Sequence, residues 1–420
     1  MNTRELALKT LYEIEYKGAF SNIAVKNMLG GTELSAKEKD FYTRLVYGTL
    51  DKRISLDYII ESFSKVKLKK LSKYIHQILR LGIYQLKYMD SVPVSAAVNE
   101  SVKLARRYGH SASAGYVNGI LRNVSKSEIE YPTDNVKYLS VKYSFPDYIC
   151  AKWINDFGFE FTEDLMCAFE KEPPLTLRPN TLKISADELA KRLNEKGISA
   201  KSEDGCVYAD GFDIAADELY RSGMYTVQDY AAMQAAKVLA PKAGERVLDM
   251  CAAPGGKTTH MAELMENKGE ILAFDIYEHK TELIRKNAKR LGIEIIKAQT
   301  KDAGVFDEGL CETADKILCD VPCTGTGIIR RKPEIKYTRI FDGSIYAIQA
   351  RILENAAKYL KYGGELVYST CSIEIEENEG ITGAFLARHA GFEKLYEKTS
   401  YPNKDGCDGF YICKIRKNRK

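Results

Sequence analysis

The sequence contains no run of about 20 apolar residues, the length that a helix needs to span a bilayer. Its first residues, MNTRELALKTLYEIEYKG, lack an apolar core long enough for a signal peptide. The 10 cysteines show no dense or regular spacing, so the pattern of a disulfide-stapled secreted domain is missing. These absences exclude a membrane span and a disulfide framework, and they predict a cytoplasmic chain with reduced thiols.

Metal-binding patterns are missing as well. Cys319 and Cys323 lie close together, but no Cys or His pair with matching spacing follows them, as a zinc site requires. We therefore predict no metal centre. Internal repeats and low-complexity segments are also absent.

Positive charge is concentrated in the N-terminal third of the chain. Residues 1–130 contain 21 Lys and Arg against 13 Asp and Glu, a net charge of +8, and the remaining residues contain 41 against 45, a net charge of −4. Together they give the +4 of the whole chain. An excess of this size is typical of an arm that meets polyanions, and a solvated helical surface is an equally good interpretation.

Three regions follow from the pattern of apolar residues. Residues 1–130 are predicted to form an all-α domain, because apolar residues recur there at three- and four-residue steps, as in Leu71, Ile75, Ile78, Leu79 and Leu86. Residues 131–227 are predicted to form a linker and a small α/β subdomain. There LTLRPN is a strand, and SADELAKRLNEKG is a helix with a capping box from Ser185 to Glu188.

Residues 228–420 predict an α/β Rossmann-like domain. The apolar runs RVLDM, ILAFDI, EIIKAQ, KILCDV and GELVYST alternate with helical segments, which favours a parallel, doubly wound sheet. FYICKI, near the C-terminus, is predicted as a last strand on a returning hairpin. The fold class is therefore multidomain, with an all-α domain, a small α/β domain and a Rossmann-like α/β domain.

A glycine-containing loop, CAAPGGKTT, follows the first of these strands and precedes a helix. Backbone amides and a helix N-terminus at such a turn favour a negatively charged ligand group. The loop resembles a phosphate-binding P-loop, but Cys251 stands where the first glycine of that motif belongs. A P-loop nucleotidase is therefore the rival interpretation.

Two carboxylates favour an adenosine ligand without phosphates. Asp275 ends the next strand, 19 residues after Gly256, close to the spacing of a carboxylate that binds ribose hydroxyls. Asp302, at the end of the third strand, is placed to meet the adenine edge, although a turn-initiating aspartate is an alternative. S-adenosylmethionine is such a ligand. We predict that it is bound by Asp275, Asp302, Asp320 and the loop residues Cys251, Ala252, Ala253, Pro254, Gly255, Gly256 and Lys257.

Two cysteines are predicted at the carboxyl ends of neighbouring strands. Cys323 follows KILCD in LCDVPCTGTG, and Cys371 follows ELVYST. Addition of a thiolate to carbon 6 of cytosine turns carbon 5 into a nucleophile for a methyl sulfonium. Ionising a thiol at neutral pH costs about 2 kcal/mol, which a helix terminus or Lys257 can supply. Asp320 is suited to hold the cytosine amino group and N3. The spacing leaves open which cysteine attacks.

The motifs CAAPGGKT, DVPCTGTG, RRKPEIKY and YSTCS together resemble the RNA cytosine-C5 methyltransferases of the bacterial Sun (RsmB, Fmu) type. The resemblance implies a class I fold dependent on S-adenosylmethionine and methylation of 16S ribosomal RNA at cytosine 967. It also implies that Cys371 is the nucleophile and that Cys323 serves product release. A transfer RNA substrate stays open, as does a catalytically silent RNA-binding protein.

The resemblance covers nearly the whole chain. Residues 1–130 resemble a NusB-like RNA-binding domain, in which Arg106, Arg107 and the run Lys65–Lys73 are candidate phosphate contacts. Arg178 and Asn180 match the Arg-x-Asn of the family's small α/β segment. Where the family commonly has Pro-Asp-x-x-Trp, this chain has Pro333, Glu334 and Tyr337, a change expected to affect packing and not the reaction. The chain is expected to be a monomer.

Overall fold

The computed structural model describes residues 2–19, 21–338 and 343–418, and of Asn22 the backbone only. These residues form two compact units. Of the described residues, the helical unit consists of 2–19, 21–170 and 332–338, and the α/β unit consists of 171–331 and 343–418. Within these ranges, no helix combines the length and the apolar composition that a membrane crossing needs.

The elements up to Phe169 are all helices, and strands and helices follow one another from Leu175 onward. The helices are α1 (Thr3–Lys17), α2 (Ser21–Gly30), α3 (Ala36–Asp51), α4 (Arg53–Phe63), α5 (Lys73–Tyr88), α6 (Val94–Tyr108), α7 (Ser113–Lys126), α8 (Asn135–Tyr143), α9 (Asp147–Phe157), α10 (Phe159–Phe169), α11 (Ala186–Glu195), α12 (Glu218–Arg221), α13 (Tyr230–Leu239), α14 (Gly256–Leu264), α15 (Glu278–Leu291), α16 (Ile335–Thr338), α17 (Ser344–Tyr359), α18 (Glu379–Arg388) and α19 (Pro402–Asp405). The strands are β1 (Leu175–Pro179), β2 (Ala200–Glu203), β3 (Cys206–Ala209), β4 (Tyr225–Val227), β5 (Arg246–Asp249), β6 (Glu270–Asp275), β7 (Ile296–Thr300), β8 (Ala314–Asp320), β9 (Leu360–Thr370), β10 (Phe392–Ser400) and β11 (Phe410–Lys417).

The predicted helical bundle is confirmed in the helical unit. Helix α5 begins where the Ser72 side chain accepts the amide of Ile75, and its apolar face buries Ile75, Ile78 and Leu79 against the bundle core. The polar stretch SEIEYPTDN, predicted as the linker, lies between α7 and α8, and its last residue, Asn135, begins α8. Helices α8 to α10 follow it and belong to the same unit. The domain boundaries at 130 and 227 stay a prediction.

The small α/β subdomain is an antiparallel sheet of order β2-β3-β1-β4 with α11 packed on it. Half of the predicted capping box is present, because the Ser185 hydroxyl accepts the Glu188 amide at 3.2 Å. The reciprocal half is replaced: the Glu188 carboxylate accepts Arg192 Nε at 2.8 Å. An i, i+4 cation on the same helix face therefore competes successfully for this carboxylate.

A seven-stranded sheet of order β10-β11-β9-β8-β5-β6-β7 forms the centre of the α/β unit. Strands β9, β8, β5, β6 and β7 are parallel, and β11 pairs antiparallel with both β9 and β10. The doubly wound sheet and the returning last strand are thus confirmed. The chain order reverses between β5 and β8, and in open α/β sheets this is the point where ligands bind beyond the carboxyl ends.

Both faces of this sheet are covered by helices, which is why its strands are apolar runs and not alternating ones. Leu248 and Ile317 face one core cluster, which includes α17, whereas the adjacent Val247 and Leu318 face the other, which includes α13 and α14. Burial on both faces fixes the register of β5 and β8. The carboxyl ends of these strands are therefore rigid supports for the residues that follow them.

The segment 332–338 packs within the helical unit. The Lys336 ammonium lies 2.6 Å from a carboxylate oxygen of Asp51. The Tyr337 hydroxyl lies 2.7 Å from the Asp51 carbonyl oxygen and 2.9 Å from Ser144 Oγ. Tyr337, where the resemblance implies a Trp, thus makes polar contacts through a hydroxyl that an indole ring lacks.

Candidate active site

The carboxyl ends of β8 and β9 bring the two predicted cysteines together. The strands are parallel neighbours, and Asp320 at the end of β8 is paired with Ser369 near the end of β9. Cys371 follows β9 directly, and its carbonyl oxygen accepts the Gly327 amide at 2.9 Å. The loop after β8 thereby returns across the end of β9. The predicted neighbourhood of strands four and five is confirmed.

The sulfur atoms of Cys323 and Cys371 lie 3.3 Å apart, within hydrogen-bond distance for thiols. Both cysteines are half-buried and neither forms a disulfide. The hydrogen bond to Cys371 and burial raise the pKa of the Cys323 thiol well above its ordinary value. Cys323 therefore keeps its proton and can donate its S–H to the sulfur of Cys371.

A lysine–aspartate pair lies beside the thiols. Lys257 Nζ donates to Asp320 Oδ2 at 2.6 Å, and Ser369 Oγ donates to Asp320 Oδ1 at 2.9 Å. Burial acts to lower the pKa of Lys257, but Asp320 outweighs it and, with a further contribution from Cys371, raises that pKa. A fixed positive charge thus faces the cysteine pair, where it favours a thiolate.

The glycine loop connects β5 to α14. Gly255 has φ 100°, in the left-handed region, and a Cβ there would lie 3.2 Å from the Ile284 Cα. Glycine is therefore required at this turn. The loop is held from both sides: the Ala252 amide donates to the Phe274 carbonyl at 2.8 Å, and the Gly255 amide donates back to the Ala252 carbonyl at 2.7 Å. The peptide bond between Ala253 and Pro254 is cis.

The position of Lys257 distinguishes this loop from a P-loop. In a P-loop the lysine at this place reaches the β- and γ-phosphates of the nucleotide. Here the ammonium is engaged by Asp320, a residue of the β8 end. Cys251, which replaces the first glycine of the motif, is half-buried, and burial raises the pKa of its thiol well above the ordinary value.

Two further carboxylates lie at the same sheet edge. Asp275 ends β6 and is buried, and its Oδ1 accepts the Tyr277 amide at 3.1 Å. Asp302 does not end β7 as expected; it lies two residues beyond the strand, is exposed, and accepts the Gly304 amide at 2.8 Å. It initiates a turn, as the alternative interpretation predicts, while its position beyond a parallel strand keeps it at the sheet edge.

Two buried residues of this region were not predicted as site residues: Glu377 was not singled out in the sequence, and Arg178 was named only for its match to the family's small α/β segment. Glu377, in the run EIEENE, is completely buried beneath the cysteine loops, whereas its neighbour Glu376 is exposed. A run of acidic residues ordinarily indicates a solvated surface, and nothing in the local sequence distinguishes the buried Glu377 from the exposed Glu376.

Arg178 is buried and donates two hydrogen bonds to the Glu263 carboxylate of α14, at 3.0 and 2.8 Å. Its Nη1 also donates to the Gly256 carbonyl at 2.5 Å.

Comparison with known families covers the chain from end to end. A family model described as 16S rRNA methyltransferase RsmB/F matches residues 236–416. A NusB family model matches residues 1–126, and a model of the ferredoxin-like domain of RsmF/B-like methyltransferases matches residues 145–212. The probable ribosomal RNA small subunit methyltransferase B of Bacillus subtilis (strain 168) is 38% identical, over 99% of this chain and 99% of the relative. The chain belongs to the ribosomal RNA small subunit methyltransferase B family.

Further relatives of this family member support the assignment. The ribosomal RNA small subunit methyltransferase B of Shewanella oneidensis is 32% identical, over 99% of both chains. The crystal structure of PH0851 superposes with a TM-score of 0.81 at 28% identity and covers 98% of this chain and 97% of that chain. The crystal structure of NSun6 from Pyrococcus horikoshii with SFG has a TM-score of 0.61 at 26% identity, over 67% of this chain and 100% of that chain. The predicted methyltransferase and NusB-like domains are confirmed.

The candidate RNA contacts of this methyltransferase B family member lie on its NusB-like domain. The lysines of the run Lys65–Lys73 are all exposed. The run connects α4 to α5 through a tight turn that contains a short 3-10 helix, Leu68–Lys70, and Lys73 is the first residue of α5. Arg106 is exposed, whereas Arg107 donates to the Glu5 carboxylate at 3.0 Å. The turn therefore offers the denser set of cations for a polyanion.

Proposed function

We propose that this protein methylates carbon 5 of a cytosine in 16S ribosomal RNA, with S-adenosylmethionine as the methyl donor and a covalent bond between Cys371 and carbon 6 of the base as the intermediate. The observation that carries the proposal is the 3.3 Å contact between the sulfur atoms of Cys323 and Cys371 at the carboxyl edge of the sheet. Two thiols in contact, beside a fixed cation, suit a reaction that both forms and breaks a carbon–sulfur bond.

The residues around the glycine loop fit S-adenosylmethionine. Asp275 is a buried carboxylate at the end of the second parallel strand, suited to ribose hydroxyls, and the loop before α14 lies at the reversal of strand order. We propose that the loop residues 251–257, Asp275, Asp302 and Asp320 hold this cofactor. When bound, S-adenosylmethionine would supply an electrophilic methyl group from its sulfonium.

Cys371 is the proposed nucleophile. Cys323 is held as a thiol that can donate to the sulfur of Cys371, and Lys257 provides a positive charge nearby. Both favour the negative charge on Cys371 that addition to carbon 6 of the pyrimidine requires. Each oxygen of Asp320 already accepts one hydrogen bond but retains a second lone pair, so Asp320 can still accept hydrogen bonds from the cytosine amino group and from N3 when that nitrogen carries a proton.

Cys323 is the proposed product-release residue. Its pKa is raised first by the hydrogen bond to Cys371 and then by burial. Once the sulfur of Cys371 is bonded to carbon 6, that first cause disappears, and the Cys323 thiol ionises more easily. The Cys323 thiolate then takes the proton from carbon 5, the electron pair of that C–H bond restores the ring double bond, and the Cys371 thiolate leaves.

The substrate must present an unstacked base to the edge of the sheet, which favours a loop of single-stranded RNA. We propose that the NusB-like domain adds sequence-independent phosphate contacts, that the modified base is cytosine 967, and that the protein acts as a cytoplasmic monomer. Bisulfite sequencing of 16S ribosomal RNA and transfer RNA from a deletion strain names the base. If the 16S pattern is unchanged and a transfer RNA methylcytosine is lost, the substrate is transfer RNA instead of 16S ribosomal RNA.

A pair of cysteine variants tests the chemistry. We expect Cys371→Ala to abolish methylation and to form no covalent RNA adduct, because the attacking sulfur is gone. We expect Cys323→Ala to retain attack but to accumulate an adduct that survives denaturing electrophoresis. Cys167→Ala, which alters an exposed cysteine of α10, is the matched control and should behave as wild type. The opposite pattern for the first two variants would exchange the two roles, and full turnover by Cys371→Ala would end the proposal.

A further inference from the structure

Glu377 is a completely buried carboxyl group that the proposed reaction does not use. It lies between the end of β9 and the start of α18, six residues after Cys371. A buried carboxylate is costly unless hydrogen-bond donors surround it. The donors that surround this one come from both cysteine loops.

The two residues that follow the cysteines share the Glu377 carboxylate. Thr324, next to Cys323, donates its amide to Oε2 at 2.9 Å and its hydroxyl to Oε1. Ser372, next to Cys371, donates its hydroxyl to Oε1 at 2.8 Å. The hydroxyl oxygens of Thr324 and Ser372 also lie 3.1 Å from each other. One side chain thus joins two loops that are 48 residues apart in sequence.

The Glu377 side chain is itself held in place. Gln349 of α17 donates its amide to Oε2 at 2.9 Å and also to the Pro322 carbonyl at 3.0 Å, immediately before Cys323. The Tyr368 hydroxyl of β9 donates to the Glu377 carbonyl at 2.7 Å. The carboxylate is therefore fixed relative to a core helix and a central strand, which are the rigid parts of the unit.

We propose that Glu377 is the positioning residue that holds the two cysteine loops together and keeps the sulfur atoms of Cys323 and Cys371 in contact. The catalytic consequence of this contact rests on the proposed function, whereas the positioning itself does not. Glu377 touches neither sulfur directly; it acts through Thr324 and Ser372. Four donors on one buried carboxylate give the loops a geometry that neither strand end imposes alone.

Disulfide formation measures the contact without any methyl transfer. Diamide accepts two electrons and two protons from a pair of thiols, which leaves an S–S bond between them, and peptide mass spectrometry identifies the Cys323–Cys371 product. We expect wild-type protein to form this disulfide rapidly. Loss of the shared carboxylate in Glu377→Ala should slow it about 10- to 100-fold, the effect of a misplacement of roughly 1 Å on a reaction between two positioned groups. A folded Glu377→Ala protein that forms the disulfide at the wild-type rate would overturn the proposal.

Glu377→Gln decides the question if the alanine variant does not fold, because it keeps the size of the side chain, removes the charge and turns one of the two acceptor oxygens into an NH2 donor. The charges of Cys371, Glu377 and Asp320 raise the pKa of Cys323, and the Lys257 ammonium faces the same cysteine pair. Loss of the Glu377 charge should therefore shift the pH profile of Cys323 alkylation to lower pH. We also expect kcat for 16S ribosomal RNA to fall with KM unchanged. Glu308→Gln, at an exposed carboxylate of the same unit, is the control that should change neither. An unchanged alkylation profile and an unchanged kcat in Glu377→Gln would contradict the inference.

The two proposals fail separately in these assays. Wild-type protein that does not methylate RNA but forms the disulfide faster than Glu377→Ala would end the proposed function and retain the positioning role. Methylation by Cys371, with equal disulfide rates in wild type and Glu377→Ala, would do the reverse.

Discussion

Replacement of Arg178 by methionine is expected to be the most destabilising single change at the junction of the small sheet and the methyltransferase domain. The guanidinium is buried and donates to the Glu263 carboxylate through Nε and Nη2. It also donates to the Gly256 carbonyl at 2.5 Å and to Thr259 Oγ1 at 3.0 Å. Methionine fills much of the space but leaves the carboxylate without its cation. Removing one partner of a buried ion pair costs about 3–5 kcal/mol of the free energy of unfolding.

The stability lost in Arg178→Met should depend on pH. Burial raises the pKa of Glu263, and Arg178 works in the opposite direction. Without Arg178 that pKa rises further above its unfolded value near 4.5. A carboxyl group whose pKa is higher in the folded state withdraws stability as pH rises from the unfolded pKa through the folded pKa. The deficit of Arg178→Met relative to wild type should therefore be larger at pH 8 than at pH 5.

Urea unfolding of the full chain at the two pH values, together with hydrogen exchange of the α14 amides, measures both effects. Arg192→Met breaks an exposed pair with Glu188 and should cost less than about 1 kcal/mol. The double variant Arg178→Met with Glu263→Leu should regain most of the loss, because an apolar pair avoids the desolvation of the charges. A deficit for Arg178→Met below about 1 kcal/mol, or one that does not change with pH, would refute the reasoning.

Two further predictions concern half-buried polar groups. Burial opposes ionisation of Glu365, but Lys316 and two further cations outweigh it and lower the pKa of Glu365 to about 2. A carboxylate with a depressed pKa stabilises the folded state above its unfolded pKa near 4.5, and this stabilisation is lost as pH falls toward 2. Glu365→Gln should therefore cost about 1–2 kcal/mol of the free energy of unfolding at pH 7 and almost nothing near pH 2. Thermal unfolding at a series of pH values measures this difference. Tyr337→Phe removes the hydroxyl that lies 2.7 Å from the Asp51 carbonyl and 2.9 Å from Ser144 Oγ, at a cost of about 1–2 kcal/mol. Faster hydrogen exchange at the start of α4, whose Ile54 amide donates to the same Ser144 oxygen, is the expected result, and unchanged exchange would count against it.

Much of the sheet was predictable, because strands buried on both faces are apolar runs with polar residues at their ends. Asp275, Asp320 and Cys371 lie at or next to the carboxyl ends of β6, β8 and β9, as expected from the sequence. Asp302 lies two residues beyond its strand, because β7 ends at Thr300 and the aspartate initiates a turn. Turn residues carry no periodicity, so a short offset of this kind is difficult to predict.

The segment 332–338 illustrates what local patterns miss. The resemblance led us to expect a packing change there, at Pro333, Glu334 and Tyr337. In the structure Lys336 and Tyr337 pack among residues of α3 and of the turn after α8. Contacts of this kind depend on residues nearly 200 or 300 positions away, and no local pattern encodes them.

The order of helices and strands, the glycine turn and the two cysteines at strand ends were determined by the sequence itself, because hydrophobic period and turn chemistry act over a few residues. Only the tertiary structure decided that the two sulfur atoms touch, that Lys257 pairs with Asp320, and that Glu377 is buried beneath both loops. These contacts join strands and loops that are distant in the chain, and their geometry depends on how the whole sheet packs.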